Sequence, residues 1–467
     1  MRAFVRVAII ALTMLAAAGP AALSGADAVS TGGSTAAAGT IGAGGGHSCA
    51  VTADGALKCW GNNESGQLGD GTMSDRASPT AVSGLASGVR AVSAGLSHTC
   101  ALAANGGVKC WGRNGQGQLG DGTTTSQTQP VDVSGLGSGV AAIAAGHAHT
   151  CALTTGGGVK CWGNNTYGQI GDGGACGENC RTPQDVSGLG SGVSAIAVGG
   201  HHTCALTDGG GVLCWGDNTY GQLGDGTTMA ASTPVDVSGL SSGISVIGAG
   251  GGGHTCAAAE TAGLKCWGNN EFGQLGEDRG CRTPCVTPAD VQGLTGRVVD
   301  VAGGYFFTCA LTEAGAVKCW GNNDFGKLGD NRVCGGLCGV PVDVIGLASG
   351  AAAVATGSRH ACAATAAGGV LCWGDNFDGQ LGDDGECGTR CFSPVEVGLV
   401  PALSGDANCD GRTNSIDAAL VLQFVAALLG ALSCPDGADV NGDGLVNAID
   451  ATLILQYSAG LLPGLPP

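Results

Sequence analysis

The triplet Cys-Trp-Gly recurs seven times, beginning at Cys59, Cys110, Cys161, Cys214, Cys266, Cys319 and Cys372, with spacings of 51, 51, 53, 52, 53 and 53 residues. All seven tryptophans of the chain stand in these triplets. So regular a period means one supersecondary unit per repeat, with each unit burying its apolar side against its neighbours. In the third unit, His149–Thr154 and Val159–Trp162 are short β-type runs flanking a Gly-rich turn, which predicts a hairpin. An apolar run precedes the hairpin at Val140–Ala145, and a further short run follows at Pro183–Val186. Four short strands per unit predict a propeller blade, and seven units predict an all-β, seven-bladed β-propeller.

Composition agrees with such a ring. The 91 glycines among 467 residues suit many tight turns and would penalise long helices. Charged residues at 12% and hydrophobic ones at 43% are the opposite of a disordered chain. The net charge of −18 argues against nucleic acid or an anionic membrane as partner, since both demand basic patches. At the N-terminus, Arg2 and Arg6 precede the apolar run Val7–Ala18, and Ala26-Asp27-Ala28 is a plausible cleavage site. This predicts a signal peptide over 1–28 and a secreted, extracellular mature chain without a membrane span; the alternative is an uncleaved anchor. Residues 29–38 read as a flexible leader.

An exported chain keeps paired cysteines oxidised, and this one has 24. Each Cys-Trp-Gly cysteine has a partner ten residues upstream: Cys49, Cys100, Cys151, Cys204, Cys256, Cys309 and Cys362. A hairpin turning near Gly156 sets Cys151 opposite Cys161, close enough for a disulfide, so seven cross-strand bridges are expected. Buried free thiols are the alternative. Eight further cysteines form Cys-x3-Cys pairs, Cys176/Cys180, Cys281/Cys285, Cys334/Cys338 and Cys387/Cys391, read as loop staples with zinc as the alternative.

Other recurring polar residues read as structural. His47, His98, His149, His202, His254 and His360 stand two residues before the hairpin cysteine, with Phe307 in the sixth unit. Equivalent positions around a ring are far apart, so hydrogen bonds to neighbouring turns are expected rather than a shared metal. Asp70, Asp121, Asp172, Asp225, Asp330 and Asp383, with Glu277 in the fifth unit, read as turn formers. No two carboxylates are singled out as a glycosidase pair, and no catalytic residue is assigned.

The pattern Gly-x-x-His-[Ser/Thr]-Cys-Ala-Leu followed by Val-Lys-Cys-Trp-Gly-x-Asn-x-x-Gly-Gln-Leu-Gly-Asp resembles the repeat of the regulator of chromosome condensation family, over residues 39–398. The resemblance implies a seven-bladed propeller. The family's founding activity, nucleotide exchange on a small intracellular GTPase with chromatin contact, is not carried over to an exported acidic chain. Secreted members of the fold act as binding proteins, and one type inhibits β-lactamases through a rim of propeller loops. The first unit begins at Thr40–Gly44 without a preceding Pro-x-x-Val strand, whereas the last ends in Ser393–Val397. That predicts closure by the C-terminal strand completing the blade begun near residue 40.

After a linker at 399–404 the chemistry changes. Asp406, Asn408, Asp410, Asn414 and Asp417 place oxygens at positions 1, 3, 5, 9 and 12 of a loop with Gly411 at position 6. Asp439, Asn441, Asp443, Asn447 and Asp450 repeat this 33 residues later around Gly444. Each loop opens an apolar helix, Ala418–Leu429 and Ala451–Leu461. The main-chain carbonyls of Arg412 and Leu445 would add position 7, so two Ca2+ sites are expected; solvated acidic turns are the alternative. Aspartate at position 12 reaches less far than the usual glutamate.

Such duplicated loop–helix units resemble a type I dockerin, over 405–461, with a tail at 462–467. The resemblance implies a small all-α domain that docks onto a cohesin domain of another protein, through Ser415, Ile416, Ala448 and Ile449. Cys409 could pair with Cys434, which would account for all 24 cysteines. The combined reading is a secreted, non-enzymatic interaction protein, attached to a complex or cell surface through a cohesin, whose propeller binds a protein or glycan. Alternatives are an accessory or catalytic component of an extracellular polysaccharide-degrading complex, and a propeller-based inhibitor of an extracellular enzyme.

Overall fold

The computed structural model describes residues 40–260, 263–277, 281, 283–399, 415–426, 432 and 446–458. The expected signal peptide, leader and tail, and the expected Cys409/Cys434 pair, lie outside them. Among the described residues, twenty-eight strands form seven four-stranded antiparallel meanders, one per repeat. A single parallel bridge, Gly250 to Gly303, links the fifth and sixth. The third blade runs Val140–Ala145, His149–Thr154, Val159–Asn164 and Asn179–Asp185. Its fourth strand starts four residues before the Pro-x-x-Val run, because Asn179 and Cys180 pair with Asn164 and Gly163. The first three strands are largely buried, whereas the fourth is mostly half-exposed at the rim.

The core lies between blades rather than within one. Leu153, Val159 and Ile170 of the third blade pack with Ile196, Val198, Ala205 and Trp215 of the fourth. All seven tryptophans are fully buried in this way. The repeat motif is one inter-blade joint written three times over. Trp215 Nε1 donates to the Gln169 carbonyl (3.0 Å), and so does Thr203 Oγ1 (3.0 Å). His149 Nε2 meets Thr203 Oγ1 at 3.0 Å. Gly171, at φ +80°, must lack a side chain, because a Cβ there would stand 2.6 Å from Trp215 Nε1. Tryptophan, Gln-Leu-Gly and His-Thr therefore recur together because each is useless without the others.

Closure differs from the sequence expectation. The last strand, Arg390–Glu396, pairs with Val370–Asp375 of its own blade. The first blade is complete from Ile41–Ala43 to Arg76–Ala81. The Pro-x-x-Val strand belongs to the preceding Cys-Trp-Gly strand, across the Gly-Gln-Leu-Gly-Asp turn, so no unit lacks one. The seam uses the common joint instead. His360 Nε2 meets Ser48 Oγ at 2.8 Å, and Trp60 Nε1 and Ser48 Oγ donate to the Gln380 carbonyl at 3.0 and 2.9 Å. Val397 and Leu399 pack with Ile41, Ala43, Ala50 and Trp60, and Lys58 Nζ caps the Leu399 carbonyl at 2.6 Å.

Outside the ring, helix α1 (Ser415–Val425) packs on helix α2 (Ala448–Ser458). Ala418 and Val421 meet Ala451 and Ile454, the same two positions of each copy. No helix among the described residues is long and apolar enough to cross a membrane.

Candidate functional site

The two helices present their duplicated positions to solvent. Ser415, Ile416, Ala448 and Ile449 are exposed at the helix starts, with Leu422 and Leu455 exposed further along. At each start one carboxylate turns inward, for Asp417 and Asp450 are fully buried. Asp450 Oδ2 accepts from Asn447 N and Asn447 Oδ1 from Ile449 N, both at 2.8 Å, a reciprocal cap of the first turn. A hard cation requires oxygen donors, and those described (Asp417, Asn447 and Asp450) fit. Asp406, Asn408, Asp410, Arg412, Asn414, Asp439, Asn441, Asp443 and Leu445 lie outside the described residues.

In the propeller, Cys49–Cys59, Cys100–Cys110, Cys151–Cys161, Cys204–Cys214, Cys256–Cys266, Cys309–Cys319 and Cys362–Cys372 are bonded across the hairpins, with Cα atoms 4.0–4.1 Å apart. The pairs Cys176–Cys180, Cys281–Cys285, Cys334–Cys338 and Cys387–Cys391 are bonded within their loops. The repeat acid caps these staples: Asp172, Asp330 and Asp383 accept from the first cysteine's amide at 2.7–2.9 Å, and Glu277 does the same for Cys281. In the Cys-free loops Asp70 instead accepts from Thr72 N at 2.9 Å. The six repeat histidines are fully buried and bond the next blade's hydroxyl, not a turn. Burial pushes His47, His98 and His254 down to about 3, and His202 and His360 to about 4.

One face of the ring carries chemistry that the repeat hides. In a meander, the loops joining first to second and third to fourth strands emerge together. The residue before the Gly-Gln-Leu glycine is Tyr167, Tyr220, Phe272 and Phe325 in blades three to six, against Ser65, Gln116 and Asp378 elsewhere. The other loops add His147, His201, Tyr305 and Phe306. Six rings run in continuous contact: Tyr167–His201 (5.4 Å between centroids), His201–His147 (5.2 Å), His147–Tyr305 (6.1 Å), Tyr305–Phe306 (4.3 Å) and Phe306–Phe272 (4.7 Å). Beside them lies a pocket of about 140 Å³, lined by Asp217, Tyr220, Gln222 and Gly251–Gly253 as well as by His147, His201, Tyr305 and Phe306. Burial lowers His147 to about 4, helped by His201; it also lowers His201, where Asp217 opposes it. Sequence reading missed this face, although a tyrosine or phenylalanine at one repeat position in four successive units was the available signal.

Comparison with known proteins places both modules. The RCC1-like domain profile matches residues 26–280, and RCC1 repeat profiles match 266–311, 298–327 and 351–380. The dockerin type I domain profile matches 404–457. The chain is 33% identical over 371 residues to the ultraviolet-B receptor UVR8 of Arabidopsis thaliana, covering 78% of this chain and 82% of that protein. It is 36% identical over 275 residues to the human E3 ubiquitin-protein ligase HERC2, covering 58% of this chain but 6% of that protein. Among solved structures, Prp20p from Saccharomyces cerevisiae superposes with a TM-score of 0.65 at 23% identity, covering 74% of this chain and 87% of that one. This chain therefore belongs to the RCC1-like repeat family of β-propellers and carries a type I dockerin domain after the ring.

Proposed function

We propose that the chain is a secreted, non-catalytic interaction protein whose dockerin binds two Ca2+ ions and docks onto a cohesin, while the propeller binds a protein or glycan. The observation that carries the docking half is the duplicated helix pair within the dockerin match, with Ile416 and Ile449 exposed and Asp417 and Asp450 buried. An apolar residue held in water at matching positions of both copies is what a partner surface would cover. Ca2+, when bound, would draw the loop oxygens together and fix the angle at which each helix leaves its loop. Asp417, Asn447 and Asp450 would hold it from the helix side. Eleven disulfides among the described residues suit an oxidising extracellular space. The propeller's repeat acids and repeat histidines are engaged in caps and joints, which supports binding rather than catalysis.

The test is capture from the source organism's extracellular fraction with the full chain, in calcium and in EDTA. A cohesin-bearing protein is expected in calcium and absent in EDTA. An I416D/I449D double variant should lose it while keeping the calcium-induced rise in helicity. Capture indifferent to both EDTA and the double variant would overturn the docking role.

A further inference from the structure

We propose that the pocket beside Tyr220 and Tyr305 takes a neutral sugar ring, and that the run of aromatic side chains from Tyr167 to Phe272 receives successive units of one glycan chain. The inference deepens the reading of the propeller as a binding module, and is independent of docking. The lining selects the ligand class. No lysine or arginine lines the pocket and one carboxylate does, in a chain of net charge −18, so an anionic ligand meets no counter-charge. A wholly apolar ligand would strip water from the Asp217 carboxylate and two imidazoles.

A cation is the remaining rival, since aromatic rings and a carboxylate can cage an ammonium group. Here Asp217 is already engaged by neutral neighbours. Its Oδ1 accepts from Thr219 N (3.0 Å) and Oγ1 (2.6 Å), and its Oδ2 from Gln222 Nε2 (2.9 Å). Those oxygens retain lone pairs for a hydroxyl, and no second carboxylate lines the pocket to complete a cage around a cation. His147 and His201, kept neutral by burial, can each donate and accept through their ring nitrogens, which matches a hydroxyl.

The rings supply the other half. The C–H groups on one side of a pyranose carry slight positive charge and suit the negative face of an aromatic ring. Tyr167, Tyr220 and Tyr305 are each about two-fifths exposed (44%, 38% and 40%), whereas all seven tryptophans are buried. Phe306 sits at φ +67°, a left-handed conformation that a bulky side chain rarely adopts. Gly253 fills the equivalent place in the fifth blade at φ +78°, so at Phe306 the ring is held against the backbone's preference. The first blade carries Gly44–Gly46 and Glu64-Ser65 in the same two loops, which leaves the platform on one side of the face.

Affinity electrophoresis of the full chain in calcium, through gels containing hydroxyethylcellulose, xylan or galactomannan, tests this directly. Retardation by at least one of them is expected. Y220A and Y305A should each weaken it by about tenfold, the scale of one lost aromatic contact. Y220F should bind within about threefold of the parent, since the stacking face is kept. Thermal midpoints of all three variants should match the parent, because the side chains are exposed. No retardation by any of the three polymers, or retardation unchanged in both alanine variants, would overturn the proposal. So would calorimetric binding of tetramethylammonium chloride at this pocket with no glycan bound. Capture of a cohesin is unaffected by any of these outcomes, so the docking role stands or falls separately.

Discussion

His47, His98, His149, His202, His254 and His360 are neutral in the ring because each is sealed between two blades. Their folded pKa values lie below the unfolded value of 6.5, so between the two the unfolded chain holds protons that the folded chain refuses. Stability from these groups is complete above about pH 6.5 and drains away as pH falls towards 3–4. Near pH 5 each histidine contributes a slope of about 1.4 kcal/mol per pH unit. The thermal midpoint should therefore fall steeply from pH 7 to pH 4.5, and a flat profile would contradict the assignment. The sixth joint shows how to remove one contribution: Phe307 replaces the histidine, and Ala361 replaces the hydroxyl residue that would have faced it. Replacing both partners with apolar groups leaves nothing unsatisfied. The double variant H98F/T150A should thus fold and show a shallower pH slope, whereas T150A alone strands an imidazole and should cost about 1–3 kcal/mol. The histidine repeat was legible in the sequence. Its partner was not, because Thr150 lies a full repeat away and only the ring brings it to 2.9 Å from His98.

At the level of elements, the hairpin was readable because its signals are local. Cys151 and Cys161 flank one turn, and the register sets them opposite each other, as alternation and turn position require. The fourth strand was misplaced because a long loop separates it from the third, and its only mark is a short Pro-x-x-Val run. The aromatic face was hidden for the opposite reason. A repeat pattern is read by averaging over units, and Tyr167, Tyr220, Phe272 and Phe325 are departures from that average. Each hairpin bridge closes a ten-residue separation, worth about 2–3 kcal/mol in the chain-entropy account. C151A/C161A should accordingly unfold at lower guanidinium by that amount, yet still assemble, since the pairing of all four strands and two joints hold the blade. An unchanged midpoint would mean that the bridge adds nothing the strand pairing does not already supply.

For the molecule as a whole, the decisive fact is that every blade is made from one continuous stretch and every joint but one from the same bonds. The seam between the last and first blades has a sequence separation of 312 residues across His360–Ser48, yet its hydrogen bonds match those between adjacent blades. Loop-closure cost grows only slowly with length, so this seam is paid for by packing rather than by a shared strand. The ring should therefore be indifferent to where it is cut, provided that the cut falls between blades. A circular permutant of residues 40–399, opened at the exposed turn 190–192 and joined across the old ends by a flexible linker, should keep its fold and melt within a few degrees of the parent. Opening instead between the third and fourth strands of the third blade, at Gly173–Gly174, leaves the permutant held at its new ends by one split blade. A ring closed by strand exchange would favour the second cut, and a ring closed by blade joints should favour the first. Near-ultraviolet circular dichroism on heating reads the difference, because all seven tryptophans sit in the joints and lose their fixed environment only when the joints part. The first cut melting well below the second would show that strand exchange, and not the joint, closes the ring.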